Sequence, residues 1–153
     1  MIEIEREAVV PGRPDAVWEL VEDVRRLPMW FAFCQRAELL EGAGIGRRQR
    51  ISVTSGAKRS EIDQVVTAYE PGRLLTWRNE AERLGGKAAP RYSSESRFSV
   101  WLEPEGSATR VRLVWQQEPS GPIRALMLRS NAKRVGQMME KSLDRLKMVS
   151  ASQ

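Results

Sequence analysis

The sequence predicts an α+β domain: a curved antiparallel sheet of about six to seven strands wrapped around one long C-terminal helix, with two short helices after the first strand. Three observations predict it. Leu128, Ala132, Val135, Met139, Leu143 and Leu146 recur at steps of three and four residues, with Met138 beside them, and so share one stripe of an α-helix. The middle of the chain alternates apolar and polar residues with period two and is punctuated by turn residues. Strands joined by short turns form a meander with one dry face, and the C-terminal helix is the element long and apolar enough to cover that face.

Each element follows from local pattern. Ile2, Ile4, Ala8 and Val10 alternate with Glu3, Glu5 and Glu7, Arg6 alone interrupting the apolar side, so the chain opens on a strand that Pro11-Gly12 ends. Pro14 starts a short helix with Asp15 in its acid-favoured first turn and Val17, Trp18, Leu20, Val21 and Val24 on its apolar face. Leu27-Pro28 interrupts it, and Met29, Trp30, Phe31 and Phe33 follow in a second short helix and an aromatic cluster. Strand patterns then run from Arg36 to Leu40, Arg47 to Val53, Arg59 to Glu70, Arg73 to Asn79, Tyr92 to Glu103 and Arg110 to Gln117, with a longer loop over Glu80 to Pro90. Gly42, Gly44 and Gly46 lie between two strands, not between a strand and a helix, so they read as a hairpin and not as a phosphate-binding loop. The last helix spans about 122–148, begins at Pro122 where a missing N–H costs nothing, and at about 1.5 Å per residue would be roughly 40 Å long. No internal repeat or linker divides the chain, so residues 1–153 read as one domain.

Composition narrows the function classes. A single cysteine, Cys34, excludes an internal disulfide framework and fits a reducing compartment, and no apolar run reaches the length of a membrane span. The opening Met-Ile-Glu-Ile-Glu-Arg-Glu does not read as a signal peptide, so the expected location is cytoplasmic. There is no histidine, which removes the commonest general base and metal ligand, and no metal-binding, nucleotide-binding or nucleophile motif occurs; neither metal nor cofactor is expected. An enzyme built from this chain would depend on Arg, Tyr, Ser, Asp or Glu. The net charge of +5 resides in the last helix, where seven basic residues face two acids. That excess is either a solvated face or a docking surface for an anionic membrane or an acidic partner protein; no interleaved basic-aromatic surface accompanies it, so nucleic acid is not expected.

Several stretches carry a family resemblance. Pro14-Asp15-Ala16-Val17-Trp18-Glu19-Leu20 with Asp23, followed by Pro28 and Trp30, is similar to a P-x-x-V-W-x-L-x-x-D … P-x-W opening. Gly44-Ile45-Gly46 before a strand, Tyr69-Glu70-Pro71-Gly72-Arg73-Leu74-Leu75-Thr76-Trp77, and Gly106-Ser107-Ala108-Thr109-Arg110-Val111 continue the likeness. Over nearly its whole length the chain resembles the START-like (SRPBCC) helix-grip superfamily, most closely its polyketide cyclase/dehydrase and lipid-transport branch. The resemblance implies a hydrophobic cavity between sheet and helix that holds a lipid, polyketide, isoprenoid or aromatic ligand. The matched residues are mostly turns and packing positions, which carry fold better than activity.

Strand alternation nominates the cavity lining. Phe98 should point inward, and the same parity brings Tyr92, Ser94 and Ser96 to its face; Trp115 and Gln117, Trp77 and Asn79, and Gln49 and Ile51 pair apolar bulk with an amide in the same way. Trp30 and Phe33 come from the aromatic cluster, and Val135, Met138 and Met127 from the helix, where Met offers an adaptable surface. The same side chains would serve equally as plain core or as a solvated sheet end. Three functions follow: binding or transport of a hydrophobic small molecule, a polyketide aromatase/cyclase with Tyr92 and Arg91 as its candidate catalytic residues, and a docking module that uses the basic helix face. The oligomeric state is left as monomer or homodimer.

Overall fold

Turn chemistry and alternation together produce one continuous antiparallel sheet. In the computed structural model the chain runs β1 (Ile2–Val10), α1 (Pro14–Glu22), a 3-10 turn (Val24–Arg26), α2 (Leu27–Trp30), β2 (Arg36–Glu41), β3 (Arg48–Ser55), β4 (Lys58–Glu70), β5 (Leu74–Leu84), β6 (Lys87–Ala88), β7 (Ser93–Glu105), β8 (Ala108–Pro119), α3 (Pro122–Ser130) and α4 (Ala132–Ala151). The structure describes residues 1–55, 58–88 and 93–152, without the side chains at 55, 58, 93 and 94; Gly56, Pro90, Arg91 and Tyr92 lie outside it. The eight-stranded sheet has the order β1-β8-β7-β5-β4-β3-β2, with β6 pairing only β5. β1 and β2, neighbours in sequence apart from the short helices, therefore lie at opposite edges, and α1 and α2 bridge them. This is the helix-grip arrangement that the sequence predicts.

The glycine-rich segment after β2 is a hairpin turn between β2 and β3, as its context requires. The expected loop over 80–90 is mostly strand: β5 continues to Leu84, with Glu82 and Leu84 opposite Ile62 and Ser60 of β4, and Gly85 and Gly86, both at positive φ, turn it into β6. Its charged residues conceal it in the sequence, and they are held there by cross-strand ion pairs such as Arg83–Asp63 at 3.2 Å.

The C-terminal helix also differs from expectation. It is divided at Asn131, whose N–H is shared between the carbonyls of Met127 and Leu128 at 3.2 Å each. The division separates two roles. α3 buries no residue completely, whereas α4 buries Val135, Gly136, Met139, Ser142, Leu143 and Leu146. α4 is the gripped element, and its stripe belongs to one core cluster with Val10, Leu75, Val100, Val111, Leu113 and the apolar face of α1. Arg6, the interruption in the apolar side of β1, folds over Gly136 of α4 and reaches Glu140 at 3.2 Å.

Candidate functional site

Between the concave face of the sheet and the helices lies a cavity of about 400 Å³. Its base is aromatic because the strand register makes it so. Trp77 on β5 is the cross-strand partner of Phe98 on β7, and Phe98 is that of Trp115 on β8. Trp77 and Phe98 stack with ring centroids 5.3 Å apart, and Phe31 stands edge-on to both, at 5.4 and 4.9 Å. Phe31 and Phe33 are placed by the segment after α2, where the backbone N–H of Ala32 donates to the Ser142 hydroxyl of α4 at 2.9 Å. Ile51 and Ile62 continue the apolar wall, and Val135 and Met138 of α4 close it from above.

Across this apolar space runs a row of polar side chains. The register sets Gln49 of β3 opposite Gln64 of β4, and Gln64 opposite Asn79 of β5. Their amides bond in sequence: Gln49 Nε2 donates to Gln64 Oε1 at 3.0 Å, and Gln64 Nε2 to Asn79 Oδ1 at 3.0 Å. Asn79 Nδ2 then donates to Ser96 Oγ at 3.2 Å, and Gln117 Nε2 donates to the same oxygen. At the other end Arg47 Nη2 donates to Gln49 Oε1 at 3.0 Å, while its Nη1 donates to the Glu22 carbonyl at 2.7 Å. Gln49, Gln64 and Gln117 are all buried, and an amide out of water is tolerated only when bonded; the row meets that need by bonding each member to its neighbour. Burial pushes the Arg47 guanidinium below its ordinary pKa, and Glu22 counteracts this.

Most of the nominated residues meet here. Phe33, Ile51, Trp77, Asn79, Ser96, Phe98, Trp115, Gln117, Val135 and Met138 line the cavity. Trp30, Gln49 and Met127 are not among the lining residues. Trp30 is fully buried, with its ring 5.5 Å from that of Phe31. Gln49 is turned to Arg47 and Gln64, to which its oxygen and NH2 group bond, and Met127 is exposed on α3. Arg91 and Tyr92 lie outside the described residues, as does the side chain of Ser94. The alternation that ties Ser94 to Ser96 is itself interrupted by a register shift between Ser93 and Glu95.

Several contributors escape the sequence reading, Phe31 and Ile62 of the apolar wall among them. Gln64 carries a usable signal, being an amide between Ile62 and Val66 on one strand face. Arg47 does not, since nothing local marks it as buried. Glu82 reaches the cavity rim because a register shift between Asp63 and Gln64 pairs them with Ala81 and Asn79, leaving Glu80 as the extra residue. Such a bulge reverses side-chain parity beyond it. Desolvation raises the Glu82 carboxyl pKa above the usual carboxylate value. Among the described residues no group of three or more His, Cys, Asp or Glu could hold a metal ion, and no helix is long and apolar enough to cross a membrane.

A long helix gripped by a curved sheet, over a cavity with an aromatic base and a bonded polar row, defines a START-like domain. The chain belongs to the polyketide cyclase / dehydrase and lipid transport family, whose model matches residues 1–151. No curated protein sequence matches it. Among solved structures it is similar to Ara h 8.0201, with 14% identity, 99% of each chain covered and a TM-score of 0.75. It is similar to TTHA0849 from Thermus thermophilus, with 18% identity, 97% of this chain and 99% of that one covered, and a TM-score of 0.70. It also matches the di-domain ARO/CYC BexL from the BE-7585A biosynthetic pathway, with 18% identity and a TM-score of 0.76, over 98% of this chain and 48% of that one. At these identities the likeness to solved structures concerns the fold.

Proposed function

We propose that this protein binds a hydrophobic small molecule, in the size range of two or three fused rings, between the sheet and α4. One observation carries the reading: a cavity of about 400 Å³ has stacked aromatic side chains at its base and a few fixed polar groups along one line. Apolar lining provides the affinity of such a site and the sparse polar groups set orientation. Family membership supports the same reading. Native mass spectrometry of gently purified protein should show a retained ligand, and a library of polycyclic and lipid compounds should quench tryptophan fluorescence through Trp77 and Trp115. If no compound is retained, quenches or raises the melting temperature, the reading fails.

A second, compatible reading is loading from an anionic lipid surface. The observation that favours it is the exposed ridge of Ile123, Leu126 and Met127 on α3, with Arg129 exposed on the same helix. Apolar insertion and basic attraction together suit an anionic membrane. Co-sedimentation with vesicles rich in phosphatidylglycerol should exceed that with phosphatidylcholine and should fall on Leu126→Glu; equal sedimentation would dismiss it. A polyketide cyclase is the alternative for the cavity itself, and it would require turnover of a poly-β-ketone surrogate that is lost on Tyr92→Phe or Arg91→Ala.

A further inference from the structure

We infer that the buried amide row is a polarised relay that holds the Ser96 hydroxyl as a hydrogen-bond donor facing the cavity, and that the ligand is accordingly an apolar ring system bearing an acceptor oxygen, such as a ring ketone or quinone carbonyl. The inference rests on the binding role proposed above and specifies the chemistry of that ligand.

The polarity of the row originates at Arg47. A guanidinium can only donate, so the Gln49 amide must turn its oxygen toward Arg47 Nη2, 3.0 Å away. This settles what an amide's shape leaves ambiguous, namely which end is oxygen and which is nitrogen. The Gln49 NH2 group then faces Gln64 and requires an oxygen there; the Gln64 NH2 group faces Asn79 and requires an oxygen in turn. Asn79 arrives at Ser96 with its NH2 group, at 3.2 Å. Gln49, Gln64 and Asn79 cannot turn over, singly or together, without setting donor against donor within the row or at its buried Arg47 end. Bonds aligned in one direction also polarise one another.

Ser96 is where the direction ends. With the Gln117 amide turned as it stands, the Ser96 oxygen accepts from Asn79 Nδ2 and from Gln117 Nε2, which occupies both lone pairs. The hydroxyl proton is left to donate, and among the described residues Ser96 donates to none. Ser96 lines the cavity, and Phe98, two residues along the same strand face, lies in the aromatic base. A flat ring system over Trp77 and Phe98 with a carbonyl directed at Ser96 satisfies both. A ligand offering only a donor at that point would meet another donor and leave it unpaired.

Fluorenone and fluorene test this, because they share a tricyclic shape and differ in a carbonyl against a methylene. Equilibrium dialysis of the intact protein against each should give about fivefold to tenfold tighter retention of fluorenone, the worth of one net hydrogen bond. Ser96→Ala should erase the preference while fluorene binding persists, which also shows that the variant is folded. Gln117→Glu should erase it as well, because a carboxylate only accepts and would take the Ser96 proton for itself. Equal retention of the two compounds by the unaltered protein, or a preference that survives Ser96→Ala, would overturn the relay and leave the cavity-binding role standing. Retention of neither would overturn that role and this inference with it.

Discussion

Ser142 accepts a hydrogen bond from the backbone N–H of Ala32 at 2.9 Å, across 110 residues of sequence, and donates its own proton to the Met138 carbonyl at 2.9 Å. The Ser142 side chain is fully buried, so one hydroxyl fastens the Phe31–Phe33 wall of the cavity to α4. Ser142→Ala would leave the Ala32 N–H buried without an acceptor, at a cost of about 1–2 kcal/mol. For a chain of this length that is a fall of roughly 3–6 °C in melting temperature. Calorimetry should record it, together with weaker retention of any cavity ligand. An unchanged melting temperature would mean that Ala32 finds another partner.

Arg6 and Gly136 make a second cross-element contact. A Cβ built on Gly136 would lie 2.5 Å from Arg6 Nη2, so Gly136→Ala must displace that guanidinium. Arg6 is the flexible end of a partly exposed side chain, and its pair with Glu140 at 3.2 Å lies in solvent. Such a pair contributes little, whereas replacing a mid-helix glycine by alanine gains up to about 1 kcal/mol of helix stability. Gly136→Ala should therefore stabilise the fold by about 0.5 kcal/mol in urea titration. A loss of stability would show that the guanidinium cannot move aside.

These contacts mark what the sequence could and could not disclose. The alternation of Trp77 with Asn79 and of Trp115 with Gln117 fixes which face each shares, and the heptad-like stripe fixes which side of α4 is buried; both are local patterns. Ser142 was illegible because its role depends on a backbone N–H far away in the chain. The kink at Asn131 and the bulge at Glu80 were illegible for another reason. Each is a small local departure from a regular period, and the bulge shifts the side-chain parity that brings Glu82 to the cavity rim. The row Gln49–Gln64–Asn79 was legible residue by residue, but its continuity required the register of three strands.

Cys34 should be chemically silent in the native protein. Burial pushes its thiol up to about 12, only partly opposed by Arg145. At pH 8 about one thiol in ten thousand would be ionised, and the thiolate is the reactive form. Native protein should resist iodoacetamide for hours and react promptly in denaturant. The linkage has a definite sign: a folded pKa raised above the unfolded value of about 8.5 gives stability that is complete below that value and declines as pH rises toward 12. Cys34→Ala should flatten the alkaline decline, and prompt native alkylation would refute the account.

On the outer face of the sheet Asp63 of β4 receives Arg50 Nε at 2.7 Å and Arg83 Nη2 at 3.2 Å, binding β3, β4 and β5 through one carboxylate. The Arg50 hydrogen bond is the main reason its pKa lies below the usual carboxylate value; desolvation opposes the shift and Arg83 adds to it. Because the folded value is the lower one, the stabilisation is fully present above the unfolded pKa of about 3.9 and is lost as pH falls through the folded value. The cluster is only partly buried, so solvent screening limits Asp63→Asn to a loss of about 1 kcal/mol at pH 7. Urea titrations at pH 7 and at acid pH should show the gap between the two proteins narrowing as pH falls through the folded pKa of Asp63, because protonation makes both side chains neutral at that position. A gap of the same size at both would mean that Asp63 contributes through packing and not through its charge.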